Sequence, residues 1–120
     1  MSSADNLAKV RSQKFIHLTT KGRKTGRPHT VELWFATDEG KVYLSHEGEE
    51  TDWMKNLKQN GEVSFEIGGE KFTGKGHYVE NSDEAGRCKV TLYEKYYGKA
   101  EKAVIDDWFS LSKLIAIVIE

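Results

Sequence analysis

The chain has 120 residues and a mass of 13.6 kDa, enough for one domain around a single core and too little for two. With 38% hydrophobic and 31% charged residues and a mean hydropathy of -0.64, it has the composition of a soluble globular protein. No run approaches the roughly 20 apolar residues of a membrane-spanning helix. The net charge of -1 hides an asymmetry: residues 9–27 carry seven cations and no acid, whereas residues 28–120 carry 11 cations against 18 acids, so the charge cannot be spread evenly.

The elements follow in chain order. Residues 1–10 show no apolar signal core, and the one cysteine, Cys88, cannot form an internal disulfide, so a cytoplasmic protein is expected. Residues 14–20, KFIHLTT, predict a strand. Residues 29–37 predict a second, in which Val31, Leu33 and Phe35 alternate with Thr30, Glu32 and Trp34. After the turn at Asp38-Glu39-Gly40, residues 41–46 predict a third strand paired with the second. Its Val42 and Leu44 lie on one face, Tyr43 and Ser45 on the other. Residues 50–61 predict a short helix with Thr51 as N-cap, Trp53 and Leu57 one turn apart and Asn60-Gly61 as the stop. Residues 62–80 read as a hairpin turning at Gly68-Gly69. A longer helix is expected from a Ser82 cap to Gly98, with Ala85, Cys88, Leu92 and Tyr96 on one stripe. One or two further turns follow at 101–110, then an apolar strand at 113–120 buried on both faces. The order predicts a mainly β, α+β protein: an antiparallel sheet curled into a small barrel with helices outside, one domain over 1–120.

Four of those seven cations lie in the loop TTKGRKTGRPHT, residues 19–30, where Lys21, Arg23, Lys24 and Arg27 are interspersed with Gly22 and Gly26. Glycine lets backbone N–H groups approach an anion, and the cations neutralise it, so the loop suits a phosphate, a polycarboxylate or nucleic acid. A merely solvated basic loop is the plain alternative. Gly22 and Gly26 are too close together for a P-loop, and Arg27-Pro28 stands where Lys-Ser/Thr is required. The G-x-G-x-x-G dinucleotide fingerprint is absent. The TGRP segment resembles a minor-groove hook, but the acidic remainder of the chain disfavours DNA. His17, His29, His46, His77 and Cys88 show no paired metal-ligand spacing, so no metal centre is expected. No G-x-S-x-G nucleophile elbow occurs.

LTTKGRKTGRPHTVELWF, then VYLSHEG, then TDWMKNLKQNGEVSFEI and finally VTLYEKYYG resemble, in order and spacing, the deazaflavin-dependent nitroreductase/quinone reductase family. That family lies within the split β-barrel flavin-binding superfamily that also holds the pyridoxamine 5'-phosphate oxidases. The resemblance runs from about Leu18 to Gly98 and implies a homodimeric oxidoreductase. Its cofactor would be 8-hydroxy-5-deazaflavin (coenzyme F-420), with FMN as the alternative, and it would pass hydride to a quinone, nitro or enone compound. It further implies that Lys21, Gly22, Arg23, Lys24, Thr25, Gly26 and Arg27 surround the cofactor phosphate. Val31, Leu33 and Trp34 would line the ring, and Trp53 and Asn56 would supply the helix motif. Ser45, Tyr93 and Tyr97, with Tyr96 beside them, would serve the acceptor side as hydroxyl donors. Glu32 stands where many members have proline. Two other readings remain: a split-barrel module that binds FMN without turnover, and a barrel that binds nucleic acid through residues 21–27.

Overall fold

A computed structural model describes residues 3–120. In chain order the elements are α1 (Ser3–Val10), β1 (Phe15–Lys21), β2 (Pro28–Trp34), β3 (Ala36–Asp38), β4 (Lys41–Glu47), α2 (Asp52–Gln59) and β5 (Glu62–Ile67). There follow β6 (Glu70–Tyr78), α3 (Ser82–Tyr97), α4 (Lys102–Trp108) and β7 (Ser112–Ile119). The strands form one antiparallel sheet in the order β2-β1-β5-β6-β7-β4-β3. Its two edge strands, β2 and β3, are separated in sequence by Phe35 alone. The sheet has therefore curled until its edges meet, and they are joined there by the chain itself.

The strand expected over 29–37 thus breaks in two. Up to Trp34 it pairs with β1 (Leu18 opposite Val31), and from Ala36 it pairs with β4 (Ala36 opposite Tyr43). Val31, Leu33 and Phe35 face inward up to the break and Ala36 turns to the outer core just beyond it, so the alternation keeps its phase and periodicity alone cannot find the break. The third strand, β4, pairs with β3 and β7 rather than with the whole of the second. Between β2 and β4 the barrel is split.

Alternation divides the apolar residues into two cores. Ile16, Leu18, Val42, Leu44, Phe65, Ile67, Ile115 and Ile117 fill the barrel, closed at its end by Trp53, Met54 and Leu57 of α2. Tyr43, Leu114 and Ala116 point outward into a second core with Cys88 and Leu92 of α3 and Ile105 and Phe109 around α4. The terminal strand is accordingly buried on both faces, as its unbroken apolar run predicts, and both covers come from its own chain. β6 and β7 lie side by side, with Gly74 opposite Ile119, so closely that a Cβ on Gly74 would lie 2.6 Å from the Val118 carbonyl oxygen.

Two caps differ from expectation. The N-cap of α3 is Asn81, whose Oδ1 accepts from the N–H groups of Asp83 (2.9 Å) and Glu84 (3.0 Å), one residue before the serine expected there. Thr51 stands at the N-cap of α2 as expected, but its buried hydroxyl makes no capping bond. Helix α1, with Leu7 and Val10 in the barrel core, was not anticipated.

Candidate functional site

The loop between β1 and β2 is closed by two backbone hydrogen bonds, Gly22 N–H to Arg27 C=O and Gly26 N–H to Gly22 C=O, both 2.8 Å. A Cβ on Gly22 would stand 2.9 Å from the Arg27 oxygen and 2.9 Å from His29 Nε2, so only glycine fits. Gly26 has a φ of 74°, the left-handed region that glycine enters at little cost.

What holds this loop against the barrel is Asn56. On β1 the inward set is Ile16, Leu18 and Thr20, so Thr20 is a hydroxyl forced into the core and needs a partner. Asn56 on α2, as fully buried as Thr20, donates from Nδ2 to Thr20 Oγ1 (3.2 Å). Its Oδ1 accepts from both the backbone N–H (3.1 Å) and Nη1 (2.8 Å) of Arg23. Arg23 Nη2 also reaches Asp52 Oδ1 at 3.3 Å. Arg23 therefore braces the loop from within. Lys21, Lys24 and Arg27 have no carboxylate partner among the described residues, and they are exposed. Thr25 turns its Oγ1 to accept from the Arg27 N–H (3.2 Å). Arg23 was expected beside the cofactor phosphate and Asn56 as part of the helix motif. The geometry gives them the task of fixing the loop that carries the free cations.

At the other end of β2, about 20 Å along the strand at 3.3–3.4 Å per residue, lies an aromatic cluster. Trp34 stacks on Tyr96 with ring centroids 4.2 Å apart and an interplanar angle of 13°. Tyr97 lies 6.2 Å from Trp34, 5.1 Å from Tyr93 and 5.0 Å from Trp108. Trp34, Tyr97 and Trp108 each leave 43–54% of their surface exposed, an aromatic platform open to solvent. Trp108 belongs to it although the sequence reading passed it over. Its signal was an apolar aromatic in a short helix whose buried stripe, Ile105 and Phe109, does not include it.

Tyr96 is the strut of that platform. Its hydroxyl accepts from the Phe35 N–H (2.9 Å) and lies 2.8 Å from the Lys14 carbonyl oxygen and 2.9 Å from that of Phe35, able to donate to either. Lys95 Nζ donates to the same Phe35 oxygen (2.8 Å) and sits 3.5 Å from the centre of the Phe35 ring. The break between β2 and β3 is thus pinned by two consecutive residues of α3. Burial alone brings the Lys95 ammonium down to about 8.

The remaining expected residues fall as follows. Ser45 lies two residues past Tyr43 and Trp34 two residues before Ala36, the pair at which β3 and β4 part, so Ser45 and Trp34 stand on opposite lips of the split. Val31 and Leu33 face the barrel and are only partly buried, because β2 is an edge. Trp53 is 4% exposed and packs in the barrel core. Glu32 points outward, where it meets His17 at 3.0 Å.

A family profile described as F420H(2)-dependent quinone reductase matches residues 4–105, most of the chain. The chain belongs to that family.

Members of the F420H(2)-dependent quinone reductase family are deazaflavin-dependent oxidoreductases, and the protein is an enzyme of this kind with coenzyme F-420 as its cofactor. Among solved structures the chain is similar to the conserved hypothetical protein Rv2991 of Mycobacterium tuberculosis, at 26% identity and a TM-score of 0.81. The match covers 100% of this chain and 81% of that one. It is similar to an F420-H2 dependent reductase (21% identity, TM-score 0.68, 87% of this chain and 93% of that one). It is also similar to a protein of Listeria innocua assigned as a pyridoxamine 5'-phosphate oxidase (18% identity, TM-score 0.70, 97% and 91%). These likenesses fix the fold as the split β-barrel of flavin-binding proteins.

Proposed function

We propose that the protein binds the phosphate of a reduced deazaflavin in the loop 21–27 and passes hydride to a small quinone, nitro or enone acceptor held at the aromatic platform. The observation that carries this reading is the loop itself, with three exposed cations lacking carboxylate partners on a backbone that Asn56 and Arg23 hold in place. The group fits, because Gly22 and the left-handed Gly26 let the loop fold tightly on itself while Lys21, Lys24 and Arg27 stand exposed on it as positive charge for an anion. When bound, the deazaflavin supplies the hydride. The protein's own residues bind and orient. Lys21, Lys24 and Arg27 hold the phosphate, Thr25 shapes the turn, and β2 with Val31, Leu33 and Trp34 runs from the loop to the platform, supported from the core by Trp53. At the platform, Tyr93 and Tyr97 offer hydroxyls, with Ser45 across the split, as donors to an acceptor oxygen while negative charge develops on it.

A second reading is supported by the same loop. FMN also ends in a phosphate, and the fold is shared with pyridoxamine 5'-phosphate oxidase-like proteins. We further propose a homodimer, with Val104, Trp108 and Leu111 as the apolar surface a partner would cover, since all three are 49–71% exposed. A cytoplasmic location accords with the lone thiol of Cys88, which is buried and pushed up to about 12 by desolvation and thus unreactive.

The test is a parallel fluorescence titration with coenzyme F-420 and with FMN at physiological salt, followed by turnover of menadione with the cofactor that binds. Stoichiometric binding of the deazaflavin is expected. Binding weakened roughly 10- to 100-fold in Lys24→Ala/Arg27→Ala, the loss of about 1.5–3 kcal/mol for charge-assisted hydrogen bonds, assigns the phosphate to the loop. Preference for FMN favours the second reading. Failure of both in the folded protein, with DNA affinity falling linearly in log-log with salt, overturns both.

A further inference from the structure

The loop uses only part of the basic stretch 9–27, and two of its other cations, Arg11 and Lys14, face a separate space. This is a cavity of about 670 Å³ between the segment joining α1 to β1, strand β3 and helix α3. It borders the start of β1 at Lys14, whereas the phosphate loop leaves the end of β1 at Lys21, about 20 Å away along the strand.

The third cation on its wall is Lys95. That ammonium is half-buried, has the Phe35 carbonyl as its hydrogen-bond acceptor, and has no carboxylate partner among the described residues. A charge taken out of water without a counter-ion is costly, so folded proteins ordinarily pair it. Arg11 and Lys14 have no carboxylate partner among the described residues either, Lys14 Nζ lying over the Phe15 and Trp34 rings. The one acid of the lining is Glu94, while Asp38 and Glu39 line the adjoining cavity on the other side of Arg11. Three cations against one acid leave the lining with two surplus positive charges, and with Asp38 and Glu39 close by beyond Arg11 that surplus suits a small anion of low charge rather than a polyphosphate. The remaining wall is the Tyr96 ring with Val90 and Ala36, and Ser12 and Thr91 add hydroxyl donors. An apolar body with one anionic group matches this wall.

We propose that this cavity is a second ligand site, distinct from the phosphate loop, which binds an organic monocarboxylate with a flat or aliphatic body. Arg11, Lys14 and Lys95 hold its carboxylate, and Tyr96 and Val90 pack against its body. The site stands independently of the deazaflavin reading.

Benzoate is the probe. It is titrated into the purified protein by calorimetry and followed by amide chemical shifts, with inorganic phosphate in parallel. The expected result is saturable 1:1 binding with shifts centred on Thr37, Thr91 and Lys95. The Kd rises at least tenfold in Lys95→Met and in Arg11→Ala/Lys14→Ala, and it is unchanged in Lys24→Ala/Arg27→Ala. The double variant alters exposed side chains alone, so it keeps the test decisive should Lys95→Met not fold. No saturable binding, shifts centred on residues 21–27, equal affinity in Arg11→Ala/Lys14→Ala, or phosphate bound at this cavity more tightly than benzoate would each overturn the proposal.

Discussion

Gly22 shows how a single residue decides whether the loop can exist. An alanine there would place its Cβ 2.9 Å from a backbone oxygen that its own loop hydrogen bond holds in place. Gly22→Ala is expected to lose about 1–3 kcal/mol of stability, the usual cost of forcing an atom into filled space. Deazaflavin affinity should fall with it. Thermal melts and the same titration check both. Glu84 gives the pH-dependent counterpart. Its carboxylate accepts a 2.6 Å hydrogen bond from Lys41, which holds it below its ordinary value, with burial opposing and His77 at 3.6 Å assisting. A lowered folded-state value means stability that is present above the unfolded value near 4.3 and lost as pH falls through the folded one. Glu84→Gln should therefore cost about 1 kcal/mol at pH 7, a modest figure because Lys41 remains partly solvated. Denaturation series at pH 7 and pH 3 should show the difference shrinking at the lower pH. A constant difference would contradict the assignment.

The element that matters most is the interrupted strand, and α3 controls it. Tyr96 and Lys95 both bind the Phe35 peptide, where one edge of the sheet hands over to the other. Tyr96→Phe leaves the half-buried Phe35 N–H without its acceptor, a loss of about 1–3 kcal/mol. It should also change the near-UV signal of the Trp34 ring stacked on it. Tyr97, 49% exposed and holding only ring contacts, is the control. Tyr97→Phe should stay within about 0.5 kcal/mol of the parent, so a lowered turnover in that variant would report on the acceptor rather than on folding. Chemical denaturation of the two variants side by side separates a strut from a site residue.

For the whole molecule, a two-faced apolar strand in so short a chain is a reason for a dimer wherever its own chain cannot cover it. The fold removes that reason: Ile115 and Ile117 enter the barrel, and α3 and α4 cover Leu114 and Ala116. The dimer then rests on different residues, the exposed Val104, Trp108 and Leu111. Light scattering should give twice the chain mass of 13.6 kDa. Leu111→Glu together with Val104→Glu should return it to the single-chain mass, and an unchanged particle would place the interface elsewhere.

Much of this molecule was legible in its residues. Period-two alternation located the strands, because a side chain in a strand can point only to one face or the other. The charge asymmetry and paired glycines marked the anion loop, since both are local properties of adjacent residues. The motif from Leu18 to Gly98 named the chemistry. What tertiary structure alone decided is how those residues share their partners. Arg23 stands among the loop's cations in sequence, yet Asn56, 33 residues later, takes its guanidinium, and only the docking of α2 on the barrel end could make that choice. The break at Phe35 was invisible because the alternation keeps its phase across it. It is fixed by Tyr96, 61 residues away, through bonds that no local pattern encodes. Local sequence sets which face a residue shows. Contacts between distant segments set which of its polar groups remain free to act.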